Sequence, residues 1–377
     1  MRNAEKPLQE ARMKADELLR AMVKVGASDM HLKVPNPPVF RIDGVLKRQS
    51  QYPCINAADM ERLMREMTTP QQQETFYATK ELDFAISVPD VSRFRVNILF
   101  QRGTISIAVR MVPFQIMTID MLNQPTIFKS LIMKPRGLIL VTGPTGSGKS
   151  TTMAAMLQHL NENRNSSVIT IEDPIEYVFQ DNKCIIAQRE LGGDTNSYPI
   201  ALRHALRHDP DVIVVGEIRD VESLTTAIAA AETGHLVLGT LHTINAVQTV
   251  DRVIDMYPPG QQHQIRLQLS QVLEAIISQT LVIRSNGRGR VGVYEILLAT
   301  TAVRNLVREG KTFELQSIMQ LNRQMGMQTL DQHLAELAAN GVIAKEEALM
   351  KSDNPERLER LIEEAKRNVK GPDPFKR

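Results

Sequence analysis

The chain has 377 residues, with 45 Lys plus Arg against 43 Asp plus Glu, a net charge of +2, 4% aromatic residues and no Trp. That balance names no polyanionic partner, and the shortage of aromatic side chains argues against base stacking, so no nucleic-acid partner is expected. The length predicts two or three domains, and the two cysteines, Cys54 and Cys184, lie too far apart for any metal-ligand motif.

The opening stretch MRNAEKPLQEARMKADELL is charged throughout and lacks the apolar centre of a signal peptide. No window approaches the uninterrupted apolar length that crosses a bilayer, so a cytosolic protein is expected. Leu18, Leu19, Met22 and Val23 recur at helical spacing, predicting a helix over about 10–25 that Gly26 ends. DMHLKV and PVFRIDGVLKR alternate apolar and polar residues, with Asp43-Gly44 as a hairpin turn. NAADMERLMREM reads as a helix with Asn56 in the capping position. DFAISV and RFRVNILF are strand candidates joined at Pro89-Asp90, and TISIAVRMV closes the set. This mixture predicts a small α+β domain over 1–112, with 113–135, punctuated by Pro113, Pro125 and Pro135, as a linker holding a short helix.

Beyond it, GLILVTG, SVITIED, VIVVGE and LVLGTLH are near-continuous apolar runs separated by helical patterns, the signature of parallel strands buried on both faces. After VGVYEILLA only helical patterns remain, which sets an α/β core at 136–298 and a helical region at 299–377 ending in a charged tail.

GPTGSGKS, Gly143 to Ser150, matches the phosphate-binding loop G-x-x-x-x-G-K-[ST] between a strand and a helix. Gly143, Pro144, Thr145, Gly146, Ser147, Gly148, Lys149, Ser150 and Thr151 are therefore expected to bind nucleotide. The backbone N–H groups point at phosphate, Lys149 reaches the β/γ oxygens and Ser150 ligates Mg²⁺. VITIEDPIEYV ends a strand with Glu172 and Asp173 and presents Glu176 four residues after Glu172. Carboxylates at this sheet edge either bind Mg²⁺ through water or polarise an attacking water; a solvated acidic loop is the alternative. In DPDVIVVGEIRD the strand ends at Glu217, which holds Mg²⁺ or its water shell, acts as a base, or caps a helix. ETGHLVLGTLHT puts His235 and His242 at either end of a strand, with His242 at the outgoing end, where a γ-phosphate contact is expected. His204 and His208 sit four apart on an expected helix, without a third zinc ligand at a suitable spacing. Phosphoryl transfer also needs positive charge beyond the γ-phosphate; Arg93 and Arg95 point the same way along one strand and Arg110 lies on the next, with a solvated basic face as the alternative. In AVRNLVREG, Val303 and Val307 belong to an apolar stripe, while Arg304 and Arg308 pair at i, i+4 on the opposite side, where a partner carboxylate would offset their repulsion.

In this order the glycine loop, IEDPIE, VGEIRD and TGHLVLGTLHT resemble the Walker A, Asp box, Walker B and His box of secretion-type traffic ATPases. Among these the chain resembles the PilT family of type IV pilus retraction ATPases, AVRNLVREG being similar to its AIRNLIRE signature; a charged tail after Met350 leaves the accessory PilU subtype open. The resemblance implies a PAS-like N-terminal domain, a RecA-like P-loop ATPase domain and a helical C-terminal extension. It implies a homo-hexameric, ATP- and Mg²⁺-dependent hydrolase for twitching motility, with ATP between the two domains. It assigns Glu176 as the water-activating acid, Glu217 as the Walker B acid and His242 as the γ-phosphate sensor, with Glu172, Asp173 and His235 in the nucleotide-binding boxes. Arg93 and Arg95 would act from the N-terminal domain, and Arg304, Asn305, Leu306, Arg308 and Glu309 would form the retraction helix. The expected partners are an inner-membrane platform protein and a paralogous ATPase, with the chain cytoplasmic at the inner-membrane face of the pilus machine.

Overall fold

The computed structural model describes residues 13–89, 91–112 and 116–369, and the chain divides into two compact units, Met1–Phe114 and Gln115–Arg377. Four sequence expectations fall partly outside the described residues: the helix before Met13, the Asp90 half of the Pro89-Asp90 turn, Pro113 at the start of the linker, and the last residues of the charged tail.

The first unit is one antiparallel sheet covered by helices. Its strands are β1 (Asp29–Lys33), β2 (Val39–Ile42), β3 (Val45–Arg48), β4 (Glu81–Val88), β5 (Ser92–Gln101) and β6 (Thr104–Val112), in the order β3-β2-β1-β6-β5-β4. Asp43 and Gly44 take φ of 52° and 80°, as a two-residue hairpin turn between β2 and β3 requires. Met30, Leu32, Phe94, Val96, Ile107 and Val109 alternate onto the buried face. There they meet Leu18, Leu19 and Met22 of helix Ala15–Lys24 and Met60, Leu63 and Met64 of helix Ala57–Met67. Asn56 caps the second helix, accepting from the Asp59 N–H at 2.8 Å. A further helix, Pro70–Thr79, escaped the sequence reading because Phe76 is its single buried residue and no apolar stripe marks it.

The second unit is built on a seven-stranded sheet. Its strands are β7 (Gly137–Thr142), β8 (Ser166–Glu172), β9 (Cys184–Glu190), β10 (Val212–Val215), β11 (Leu236–Leu241), β12 (Leu273–Ile283) and β13 (Arg290–Leu298), in the order β13-β12-β7-β11-β10-β8-β9. All neighbours are parallel except β12 and β13, so the sheet is mixed rather than purely parallel. Alternate residues serve opposite faces: Leu138 and Leu140 pack under helices Val221–Glu232 and Pro259–Val272, and Ile139 and Val141 under helix Lys149–Asn163. β9 and β12 are additions to the predicted set. β9 is an edge strand ending in Gln188, Arg189 and Glu190, and β12 hides Ser278 and Gln279 within a largely apolar run.

β13 ends at Leu298, where helices take over. Val282, Val291 and Val293, at the far ends of β12 and β13, carry Leu334, Ile343, Leu358 and Ile362 of the last helices. His333 stacks on Tyr294 and its Nδ1 accepts the Tyr294 N–H at 2.9 Å; burial pushes its pKa down to about 4. Among the described residues no helix is long and apolar enough to cross a membrane.

Candidate functional site

The phosphate-binding motif lies between β7 and helix Lys149–Asn163. Gly143 has φ of 142°, and a Cβ there would fall 2.3 Å from the backbone oxygen of Gln279. At Gly148, φ 90°, a Cβ would meet Gln279 Nε2 at 2.8 Å. β12 thus forms the floor against which the loop folds, and these two positions admit no side chain. Beneath the loop, Thr152 donates to Gln279 Oε1 at 2.7 Å and accepts from Gln124 Nε2 at 2.8 Å.

A cavity of about 610 Å³ opens over this loop, within the usual range for small-molecule sites. Thr145, Gly146, Gly148, Lys149, Ser150 and Thr151 form one wall, with Met153, Leu157 and Leu281 supplying apolar surface. The opposite wall is the C-terminal edge of β8, β10 and β11, where Asp173, Glu176, Glu217 and His242 converge. Parallel strands order their outgoing ends on one edge, so residues far apart in sequence meet there. Lys149 Nζ donates to the Gly143 and Pro144 carbonyls at 2.7 and 3.2 Å. Burial lowers its pKa, against the opposing charges of Glu217 and Glu176.

Glu217 stands at the centre. Arg219 donates to its Oε2 at 2.8 Å and His242 Nε2 to its Oε1 at 3.0 Å. The Arg219 bond, outweighing burial and joined by the charges of Arg219 and His242, holds the Glu217 carboxyl below the usual range. Arg219 also lies 3.8 Å from Asp173. Arg219 was absent from the sequence-derived site, although VGEIRD contained it; its position two residues after Glu217, in the turn that follows β10, was the available signal. Tyr177, Tyr198 and Arg290 also line the cavity without having been foreseen.

Several candidates take other positions. Glu172 reaches the cavity, but its Oε1 accepts from Thr170 Oγ1 at 2.6 Å and Gln188 Nε2 at 3.0 Å, so that oxygen is spent on folding its own loop. His235 precedes β11 at the edge opposite His242, hydrogen-bonded to the Ala230 carbonyl at 2.9 Å, away from the cavity lining. The helix expected to carry both His204 and His208 stops at Ala205. Arg93, Arg95 and Arg110 belong to the first unit, where Arg95 pairs directly opposite Arg110 on the face turned from the core. Arg110 is bound to Asp29 at 2.8 Å; burial raises the Asp29 carboxyl, but hydrogen bonds from Arg110 and Ser28 and the charges of Arg110 and Arg41 bring it below its usual value. Arg93 donates to Ser87 Oγ at 3.1 Å.

On helix Thr301–Glu309 the two arginines separate. Arg304 does not share an open face with Arg308: it donates to the Ala299, Ser270 and Gln271 carbonyls at 3.0, 2.9 and 2.7 Å and to Glu274 at 2.8 Å. The expected partner carboxylate is therefore Glu274 of the same chain. Arg308 is exposed and donates to Asn305 Oδ1 at 2.6 Å; Glu309 pairs with Lys311, and Leu306 packs on the main core.

The donor set suits a nucleoside triphosphate with a divalent cation. A glycine-rich loop faces the cavity, the buried Ser147 hydroxyl has no partner among the described residues, and Ser150 and Glu217 offer hard oxygen donors. Among the described residues no group of three or more His, Cys, Asp or Glu could hold a metal ion by itself, and Mg²⁺ sites commonly combine one or two carboxylates with substrate phosphates.

Known proteins resemble this chain along most of its length. The family described as Type II/IV secretion system protein matches residues 5–350. The type IV pilus retraction ATPase PilT of Pseudomonas aeruginosa is 45% identical over 344 residues, 91% of this chain and 99% of that protein. The type IV pilus ATPase PilU of the same organism is 40% identical over 350 residues, 93% of this chain and 91% of that one. The crystal structure of the pilus retraction motor PilT with bound ADP has a TM-score of 0.85 at 45% identity, covering 92% of this chain and 99% of that chain.

Proposed function

Since the chain belongs to the type II/IV secretion system proteins and, within them, to the pilus retraction ATPases, we propose that it hydrolyses ATP to power type IV pilus retraction and twitching motility. The observation that carries this reading is the 45% identity to PilT along 99% of that protein's length. The higher identity to PilT than to PilU, 45% against 40%, favours a main motor over an accessory one.

In this reading residues 1–112 are the PAS-like domain, 113–135 the linker, 136–298 the RecA-like core and 299–377 the helical region. The phosphate chain of ATP lies on the loop Gly143–Ser150 and Lys149 turns from the loop carbonyls to the β/γ oxygens. Ser150 and Glu217 would hold Mg²⁺, which would neutralise charge at the phosphates. Glu176 orients and activates the attacking water. His242 reads the γ-phosphate through its bond to Glu217, so the phosphate's presence changes the partners of the Walker B acid. Arg93 and Arg95 supply positive charge to the nucleotide within a homo-hexameric ring, and Arg110, opposite Arg95 and ion-paired to Asp29, adds to the same basic face. Closure of one subunit's PAS-like domain on the ATPase core of its neighbour, repeated round the ring, acts on an inner-membrane platform protein from the cytoplasm. A paralogous ATPase is the expected associate.

Two experiments test this. Lys149→Ala and Glu217→Ala should each abolish phosphate release from purified protein while assembly persists; wild-type turnover in Glu217→Ala refutes the role given to Glu217. A strain lacking this chain should carry excess surface pili. Loss of surface pili would instead identify an extension motor, and failure to restore retraction without the paralogue would identify an accessory subunit.

A further inference from the structure

The segment carrying Glu176 leaves the sheet at Glu172 and rejoins it as β9 at Cys184. Fixing each residue of such a loop costs about 1–2 kcal/mol of backbone entropy, so its order needs an explanation. Side chains of β9 provide one. The Ile175 N–H donates to Glu190 Oε2 at 3.0 Å, immediately before Glu176. Immediately after it, Gln188 Nε2 donates to the Tyr177 carbonyl at 2.8 Å, and Gln188 Oε1 accepts the Phe179 N–H at 2.9 Å. The remaining Gln188 Nε2 proton goes to Glu172 Oε1 at 3.0 Å. Both donors and the acceptor of this amide are thus engaged, joining the start of the loop to the backbone beyond Glu176.

The phosphate-loop helix holds the same segment from the other side. Tyr177 OH meets Thr151 Oγ1 at 2.8 Å, one residue after Ser150. At the other end of that helix, buried Asn161 donates to the Gln180 carbonyl at 2.8 Å and accepts the Asn182 and Cys184 N–H groups at 3.1 and 3.2 Å. Glu176 itself is exposed on the cavity. Its backbone neighbours are held by these bonds, and Glu176 lines the nucleotide cavity.

We infer that Gln188 is a positioning residue for hydrolysis: it ties the backbone just after Glu176 to the Glu172 side chain at the start of the loop, so that the Glu176 carboxylate meets the attacking water. The inference rests on the reading of Glu176 as the water-activating acid. An apolar side chain of similar size at 188 leaves the Tyr177 carbonyl and Phe179 N–H without this partner. A displacement of about 1 Å at a reacting group costs on the order of a hundredfold in rate.

The test is steady-state ATP hydrolysis by full-length Gln188→Met, with fluorescent ADP titration and thermal unfolding alongside. The expected result is a kcat lowered roughly ten- to hundredfold, with KM and ADP affinity within about twofold of wild type. A merely structural role would weaken nucleotide binding and the melting midpoint together with kcat, and that outcome overturns the inference. Gln188→Glu, which keeps the Phe179 bond and loses both donations, reads the same split should Gln188→Met fold poorly. On a Glu176→Gln background, Gln188→Met should add no further loss of residual rate, because it acts through Glu176; multiplied losses overturn the inference. Wild-type turnover in Gln188→Met beside an inactive Glu176→Gln defeats the inference alone. Wild-type turnover in Glu176→Gln defeats the role assigned to Glu176 and the inference with it.

Discussion

Replacing Arg304 by alanine should destabilise the ATPase unit, whereas the same change at Arg308, four residues on, should not. Arg304 makes a charge-assisted bond to Glu274 and caps three main-chain carbonyls, two of them, Ser270 and Gln271, at the end of helix Pro259–Val272. Its side chain is 28% exposed and that of Glu274 18%, so water replaces little of what is lost. The ion pair contributes about 1.5–3 kcal/mol and the charge at the helix C-terminus up to about 1 kcal/mol. A total of roughly 3 kcal/mol lowers the melting midpoint of a domain of this size by roughly 6–12 °C. Arg308, exposed and hydrogen-bonded to the neighbouring Asn305 side chain, should shift it by less than about 2 °C. Circular-dichroism melts of the full-length variants, with Glu274→Gln to close a double-mutant cycle, measure the difference. Equal melting of Arg304→Ala and wild type, or equal loss at both arginines, refutes the argument. Retraction defects in Arg308→Ala at normal stability would then report a surface contact, and those in Arg304→Ala a damaged fold.

The pH dependence of stability should carry a signature of His333, whose folded pKa of about 4 lies below its ordinary 6.5. Between these values the unfolded chain binds a proton that the folded one refuses, so stability is complete above 6.5 and falls by about 3 kcal/mol as pH drops toward 4. Urea titrations across that range should lose this part of the slope in His333→Gln, which keeps an acceptor for the Tyr294 N–H; an unchanged slope refutes the assignment. At the phosphate loop, Gly143→Ala places a methyl group 2.3 Å from the Gln279 carbonyl oxygen and should weaken ADP binding at least about tenfold, while Gly193→Ala, with no atom within 4 Å, should be neutral. Fluorescent ADP titration of both variants checks the contrast.

The strongest local patterns in the sequence correspond to elements whose physics is local. Gly143 to Ser150 announces the phosphate loop because few residue types tolerate its backbone, and the Val/Ile/Leu runs of β7, β8, β10 and β11 announce a sheet buried on both faces. The acids at the ends of those runs were legible for the same reason. Tertiary structure decided the rest, because the missing information lay in partners distant along the chain. β9 is polar at its end since Gln188 and Glu190 bond a loop rather than solvent, and β12 buries Ser278 and Gln279 since Thr142 and Thr152 hydrogen-bond to them. Arg304 and Arg308 look alike in sequence, yet Glu274, 30 positions from Arg304, makes one a structural cap and leaves the other at the surface. Residue pattern fixes which backbone states are affordable; which polar group answers which is determined only when the strands are side by side.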